Sequence, residues 1–293
     1  MARGRLLADR ALPPGAAPAA ACLAAAAMAL PTAAAQAGGT APLEWRWWLG
    51  GGIEWFEWEE FFEGSRIVEE TGPRFTIESG IDTRTAHQAG PVVALVGRLT
   101  LGRVDYDGRA RTGGDEPRAR SDTDYRGFHA VTEAGYRFEL HPDHLLELTG
   151  GLELDGWSRM LQDTDDVDDP DIDEAAGYTE NYLLLTARAA TGLSHRVGDR
   201  HHIRWQVGGR YPFLVDEYDT GTETPLNPEG RGSIFADLEW QPVDARWSLR
   251  LYYEEYTLDD SDWEPAGVDE DLLVKQPRSE SYRAGIALRY RVD

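Results

Sequence analysis

The stretch "RFTIESGIDTR", Arg74 to Arg84, sorts its residues onto two faces. Phe75, Ile77 and Ile81 fall on one side; Arg74, Thr76, Glu78, Asp82 and Arg84 fall on the other. Side chains alternate in this way along an extended strand, so one face meets an apolar phase and the other a polar one. The polar face is charged with both signs. In a soluble sheet it would lie in water; in a narrow barrel its charges would face one another across the interior.

The same alternation recurs along the chain. Val93, Leu95, Leu99 and Leu101 oppose Arg98 and Thr100, and Leu146, Leu148, Leu152 and Leu154 oppose Glu147, Glu153 and Asp155. Phe128 to Phe138, Leu183 to Leu193, Ile203 to Phe213, Ile234 to Trp240, Trp247 to Tyr253 and Tyr282 to Val292 repeat the pattern. With an opening strand from near Leu43, ten such segments follow one another; eight or twelve strands stay open on the pattern alone. The connections at 85–91, 139–144, 196–201 and 242–246 read as short turns. Those at 62–73, 107–124, 160–178, 216–230 and 257–277 read as long polar loops.

Strands of about ten residues with short turns at one end and long loops at the other are the pattern of a transmembrane β-barrel. A soluble β-sandwich also alternates. Aromatics at the ends of many apolar faces favour the barrel: Tyr136 and Phe138, Tyr211 and Phe213, Trp240 and Trp247, Tyr282 and Tyr290. The prediction is all-β: one antiparallel transmembrane barrel over residues 38–293, of about ten strands. An even strand count puts both termini on the short-turn, periplasmic side, with long acidic loops outside.

The N-terminus fits an exported chain. "MARGRLLADR" is basic, an Ala-rich apolar run follows, and small residues at Ala35 and Ala37 offer a cleavage site. Residues 1–37 therefore read as a cleaved signal peptide. Cys22, the single cysteine, lies inside that leader, so the mature chain has no disulfide. The full chain carries 29 basic and 52 acidic residues; without the leader the balance is 26 to 51. That excludes nucleic acid as a partner. No window after the leader is apolar enough for a membrane helix.

These strands, girdles and turns resemble a bacterial outer-membrane β-barrel protein over essentially all of residues 43–293. The resemblance implies the outer membrane of a Gram-negative bacterium as location. It implies the lipid bilayer, lipopolysaccharide, periplasmic chaperones and the barrel-assembly machinery as partners. The last strand is similar to the class's assembly signal but ends Tyr290-Arg291-Val292-Asp293, where that signal ends on an aromatic. The strand count resembles the omptin size class, without a match to any specific member.

The omptin likeness implies a rim site with paired aspartates and an Asp–His pair. "VDYDG" offers Asp105 and Asp107 on one face at the top of the third strand, and His129 is the one lumen-facing histidine. These are the weak catalytic candidates; the bland reading of His129 is a member of a lumen network. Asp169, Asp171, Asp173 and Glu180 fit positions 1, 3, 5 and 12 of a calcium loop, but Glu174 stands where the sixth position needs glycine. They are weak metal candidates for Ca2+ or Mg2+ at acidic extracellular loops, where such ions would bridge to lipopolysaccharide phosphates. No other cofactor is expected.

The expected role is structural or surface-interactive, with the lumen plugged by a salt-bridge network. A narrow channel for small solutes or ions is the alternative, and a surface hydrolase is the third. One stretch tests the register. "EWFEWEEF", Glu54 to Phe61, is too acidic for a core and too aromatic for an ordinary loop. A tilted strand crosses hydrocarbon in about 9–11 residues. Counting from Trp45 puts Trp55 at the outer girdle and predicts Phe56 and Trp58 turned inward above the bilayer.

Overall fold

The computed structural model describes residues 44–84, 88–109, 117–168 and 174–292. The leader 1–37 with Cys22, and the acids Asp169, Asp171 and Asp173, lie outside the described residues.

Among the described residues, fourteen strands follow in chain order. They are β1 (Arg46–Phe62), β2 (Ser65–Asp82), β3 (Gly90–Arg109), β4 (Arg118–His141), β5 (His144–Leu161), β6 (Thr179–Val197) and β7 (His201–Asp219), then β8 (Thr224–Leu226) and β9 (Gly230–Arg231). After these come β10 (Ser233–Pro242), β11 (Trp247–Leu258), β12 (Glu264–Ala266), β13 (Asp269–Val274) and β14 (Arg278–Val292). Ten of them form the barrel. Strands β1 to β7 pair in sequence, β7 pairs β10, β10 pairs β11, β11 pairs β14, and β14 closes on β1, all antiparallel. The other four are short additions, with β12 and β13 a separate hairpin. Closure leaves no barrel edge with unpaired backbone, which hydrocarbon would not tolerate.

The outer face carries an apolar belt. On β1 it runs from Trp47 to Trp55, on β2 from Pro73 to Ile81, on β3 from Val93 to Leu101. Each of these spans nine residues, the length a tilted strand needs to cross the hydrocarbon. Phe75, Ile77 and Leu99 are among the most exposed large apolar side chains. Beyond the belt the outward residues turn polar at once: Glu57 and Glu59, Thr71 and Glu69, Arg103, Asp105 and Asp107. Replacing Ile77, at the middle of its belt segment, by Arg is expected to cost about 2–4 kcal/mol of folding stability in a bilayer. The same change at Thr71 is expected to cost under about 1 kcal/mol. Urea titrations of vesicle-inserted protein measure both.

The strands do not stop where the belt stops. Strands β1 to β7 are 17 to 24 residues long, so the barrel continues well above the membrane. This corrects the loop boundaries. The long link expected at 62–73 is strand. β1 and β2 meet in a two-residue turn at Glu63 and Gly64, both with positive φ (49° and 80°), the geometry that matches strand twist in a tight hairpin. Likewise β3 runs to Arg109 and β7 to Asp219. Above the membrane the pattern inverts. Outward side chains meet water and are polar, while inward ones include aromatics, so the strand reads as a loop. The short turns fall where expected: β4 and β5 are joined by two residues, β6 and β7 by three.

Candidate functional site: the barrel interior

At belt level the interior is ionic. Alternation turns every second residue inward, many of them charged, and the closed wall brings those charges face to face. Arg98 donates to both oxygens of Glu254, at 3.0 and 2.5 Å. Arg74 donates to Glu54, whose other oxygen accepts from Tyr252 at 2.8 Å. Glu78 accepts from Arg289 at 2.7 Å and Arg250 at 3.0 Å. Arg84, from the β2–β3 turn, reaches up to Glu147 at 2.7 Å and Glu133 at 3.0 Å. Glu153 is shared by Arg188 and Arg210. Buried charges need this degree of pairing to be tolerated. A cavity of about 60 Å³ remains among these groups.

Above the belt the interior is aromatic. Phe56, Trp58, Tyr106, Tyr125, Trp157, Tyr182 and Tyr256 pack with Val68, Val104, Leu184, Val215 and Leu258 into one buried cluster. Trp157 stacks on Tyr182 with ring centres 4.8 Å apart, and Phe56 meets Tyr125 edge-on at 4.8 Å. Phe56 and Trp58 are each 1% exposed and inward, as the register predicts. Set among the rings, three acids gather around Arg159. Arg159 is wholly buried and donates to Glu60, Glu70 and Glu180. Tyr125 and Thr123 donate to Glu70, Trp58 to Glu60 and Tyr182 to Glu180.

The expected site residues scatter. Asp105 and Asp107 share a face, but it is the outer one: their neighbours Val104 and Tyr106 take the interior positions. Asp107 accepts from Arg118 at 2.8 Å on the surface. The pair therefore does not meet His129, which is buried inside the barrel. His129 has an acid partner that spacing did not select: its Nδ1 lies 2.9 Å from Asp155, on the adjacent strand. Tyr256 and Arg283 complete that group, donating to Asp155. Glu180 is not a loop ligand. It is the second residue of β6, is buried and accepts from Arg159. Its three companion aspartates lie outside the described residues.

Glu217 is the residue that strict alternation misplaces. On β7 the odd positions Trp205, Val207, Tyr211 and Phe213 face outward. A register shift opposite Leu185 and Thr186 reverses the phase, so Asp216 and Tyr218 are outward and Glu217 is fully buried. A β-bulge re-aims every later side chain, and no local residue type announces this one.

No family model and no curated sequence matches this chain. Solved structures do match in fold. The outer membrane protease OmpT from Escherichia coli aligns over 87% of this chain and 100% of its own, with a TM-score of 0.51 and 11% identity. The translocator domain of the autotransporter NalP from Neisseria meningitidis aligns over 94% and 97%, with a TM-score of 0.43 and 14% identity. The fold is that of a bacterial outer-membrane β-barrel, closed and ten-stranded.

Proposed function

We propose that this chain is an outer-membrane barrel of a Gram-negative bacterium, with both termini in the periplasm, that acts through its extramembrane half and not by passing solutes. One observation carries the reading: the aromatic cluster packs the interior just above the apolar belt, and its members are at most 9% exposed. The pairing of the charges below it supports the same reading. The role is structural or surface-interactive. In planar bilayers the purified protein is expected to give no discrete conductance steps above the protein-free baseline. Reproducible steps would overturn the reading in favour of a narrow channel, for which the charged cavity is the natural starting point.

The likeness to OmpT raises proteolysis as a second reading. Against it stand the outward Asp105 and Asp107 and the enclosure of His129, which leave the implied rim site unassembled among the described residues. A general base must reach the proton that it abstracts. Peptide cleavage by the folded protein that is lost on His129→Ala would support this second reading.

A further inference from the structure

We infer that the short-turn end of the barrel carries a two-histidine chelate for a divalent transition-metal ion, Cu2+ by class, with Nδ1 of His144 and Nδ1 of His195 as its protein ligands. The inference uses the proposed function only to place this rim in the periplasm. Metal binding by the isolated protein does not depend on that reading.

The chain is sparing with histidine, yet a row of them crosses four adjacent strands at this rim. His141 ends β4, His144 begins β5, His195 lies near the end of β6, and His201 begins β7. Strand pairing sets the row. His141 is opposite His144, and His144 is opposite His195. Ile203 is opposite His195, and His201 lies two residues from it on the same side of β7. Residues directly opposite each other share a face of the sheet. That face is the outer one, because Leu145 is buried inside while Leu148 is exposed. The row therefore stands just past the apolar belt, where His144 and His195 are half-buried and open to solvent.

Within the row one pair has converged. The rings of His144 and His195 lie 4.2 Å apart centre to centre and 7° from parallel, with Nδ1 facing Nδ1 at 2.8 Å. In the neutral pair one Nδ1 carries a proton and donates to the other. Moving that proton to Nε2 of the same ring leaves both Nδ1 lone pairs available to one ion. Two nitrogens, each about 2.0 Å from a metal, are about 2.8 Å apart when they subtend a right angle at it, and about 3.3 Å apart at a tetrahedral angle. The observed spacing matches the right angle, which is the arrangement of square-planar and tetragonal Cu2+ and Ni2+. Affinity for such nitrogen sites peaks at Cu2+. Water completes the coordination from the solvent side.

The rest of the row is engaged elsewhere. Nδ1 of His141 accepts from the Asp143 amide at 3.2 Å, and its ring centre is 5.6 Å from that of His144. The His201 ring lies against Trp240, with 5.7 Å between centres. The lumen trio His129, Glu153 and Asp155 also brings ligand atoms within 4.8 Å of one another. Its carboxylates, however, are held by Arg188, Arg210 and Arg283, which put positive charge where an ion would sit. At the rim no arginine or lysine pairs with His144 or His195 among the described residues. The acidic balance of the chain as a whole draws cations toward it.

The test uses the tag-free folded protein in detergent micelles, stripped of metal by a chelator and titrated with Cu2+. Calorimetry is expected to show one ion per chain, and electron paramagnetic resonance a tetragonal Cu2+ with two directly bound nitrogens. His144→Gln and His195→Gln are each expected to remove one nitrogen from the spectrum and to weaken binding at least about tenfold, since losing a ligand costs no less than losing a group that orients one. Either variant serves if the other does not fold. His141→Gln and His201→Gln are expected to leave both readings unchanged. Zn2+, which takes the wider tetrahedral angle, is expected to bind more weakly than Cu2+. Cu2+ binding kept at full strength in both His144→Gln and His195→Gln would place the ion elsewhere and overturn the site. So would a parent that binds no Cu2+, which would make the pair a hydrogen bond and nothing more. Zn2+ binding tighter than Cu2+ would overturn the right-angle chelate, and a nitrogen lost in His141→Gln would overturn the two-ligand assignment.

Discussion

Replacing Arg159 by Met is expected to remove about 3–5 kcal/mol of folding stability at pH 8, the usual loss when one member of a buried ionic set is deleted. The side chain is 0% exposed, and its Nε and Nη1 donate to Glu70, Glu60 and Glu180. Met keeps much of the volume and removes the charge. Three carboxylates are then left facing one another without a cation, in an interior that water does not reach. Their mutual repulsion is then offset by no cation within hydrogen-bond reach. The control is Arg103→Met. Arg103 pairs with Asp124 on the outer surface, with its side chain 58% exposed, so its loss is expected to leave stability essentially unchanged. Equilibrium unfolding in urea at pH 8 reads both losses, and equal losses at the two arginines would show that the nest contributes nothing.

Trp58→Ala is expected to cost a comparable amount, about 3–5 kcal/mol, by a different route. The ring is 1% exposed. It lies 5.6 Å from Tyr182 and 6.2 Å from Trp157, and its Nε1 donates to Glu60 at 3.0 Å. Alanine leaves a void in the middle of the aromatic cluster and takes one donor from an acid in a nest already short of them. Trp55→Ala is the comparison. Trp55 sits on the outer face of the same strand, three residues earlier and 56% exposed, where its loss opens no internal void. The contrast is expected in unfolding midpoints and in the resistance of unheated protein to unfolding on gels. A Trp55 defect as large as that of Trp58 would mean that the extramembrane core does not hold the barrel together.

The two tryptophans also separate what the chain states locally from what it does not. Alternation fixed the class of fold because the membrane imposes it: lipid on one side and a narrow interior on the other demand a two-residue period. Ten segments gave the ten barrel strands, and the count from Trp45 placed Trp55 outward and Phe56 and Trp58 inward. The same reasoning cut the strands short. It took the polar stretches at 62–73 and 107–124 for loops. Once a strand leaves hydrocarbon its outer face meets water, and the contrast between its two faces fades.

The candidate site was less legible, because it depends on closure. Spacing in one strand put Asp105 and Asp107 together, yet their facing follows from the phase in which Val104 and Tyr106 fill the interior. Spacing could not join His129 to Asp155, which are neighbours only across the β4–β5 pairing. Nor could it gather Glu60, Glu70, Arg159 and Glu180 from four strands, or foresee the register shift that turns Glu217 inward. The sequence determined the period, and with it the barrel, the belt and which residues meet lipid. The tertiary structure decided which inward charges meet and which one is left without a partner, because a closed wall brings together residues that no interval along the chain relates.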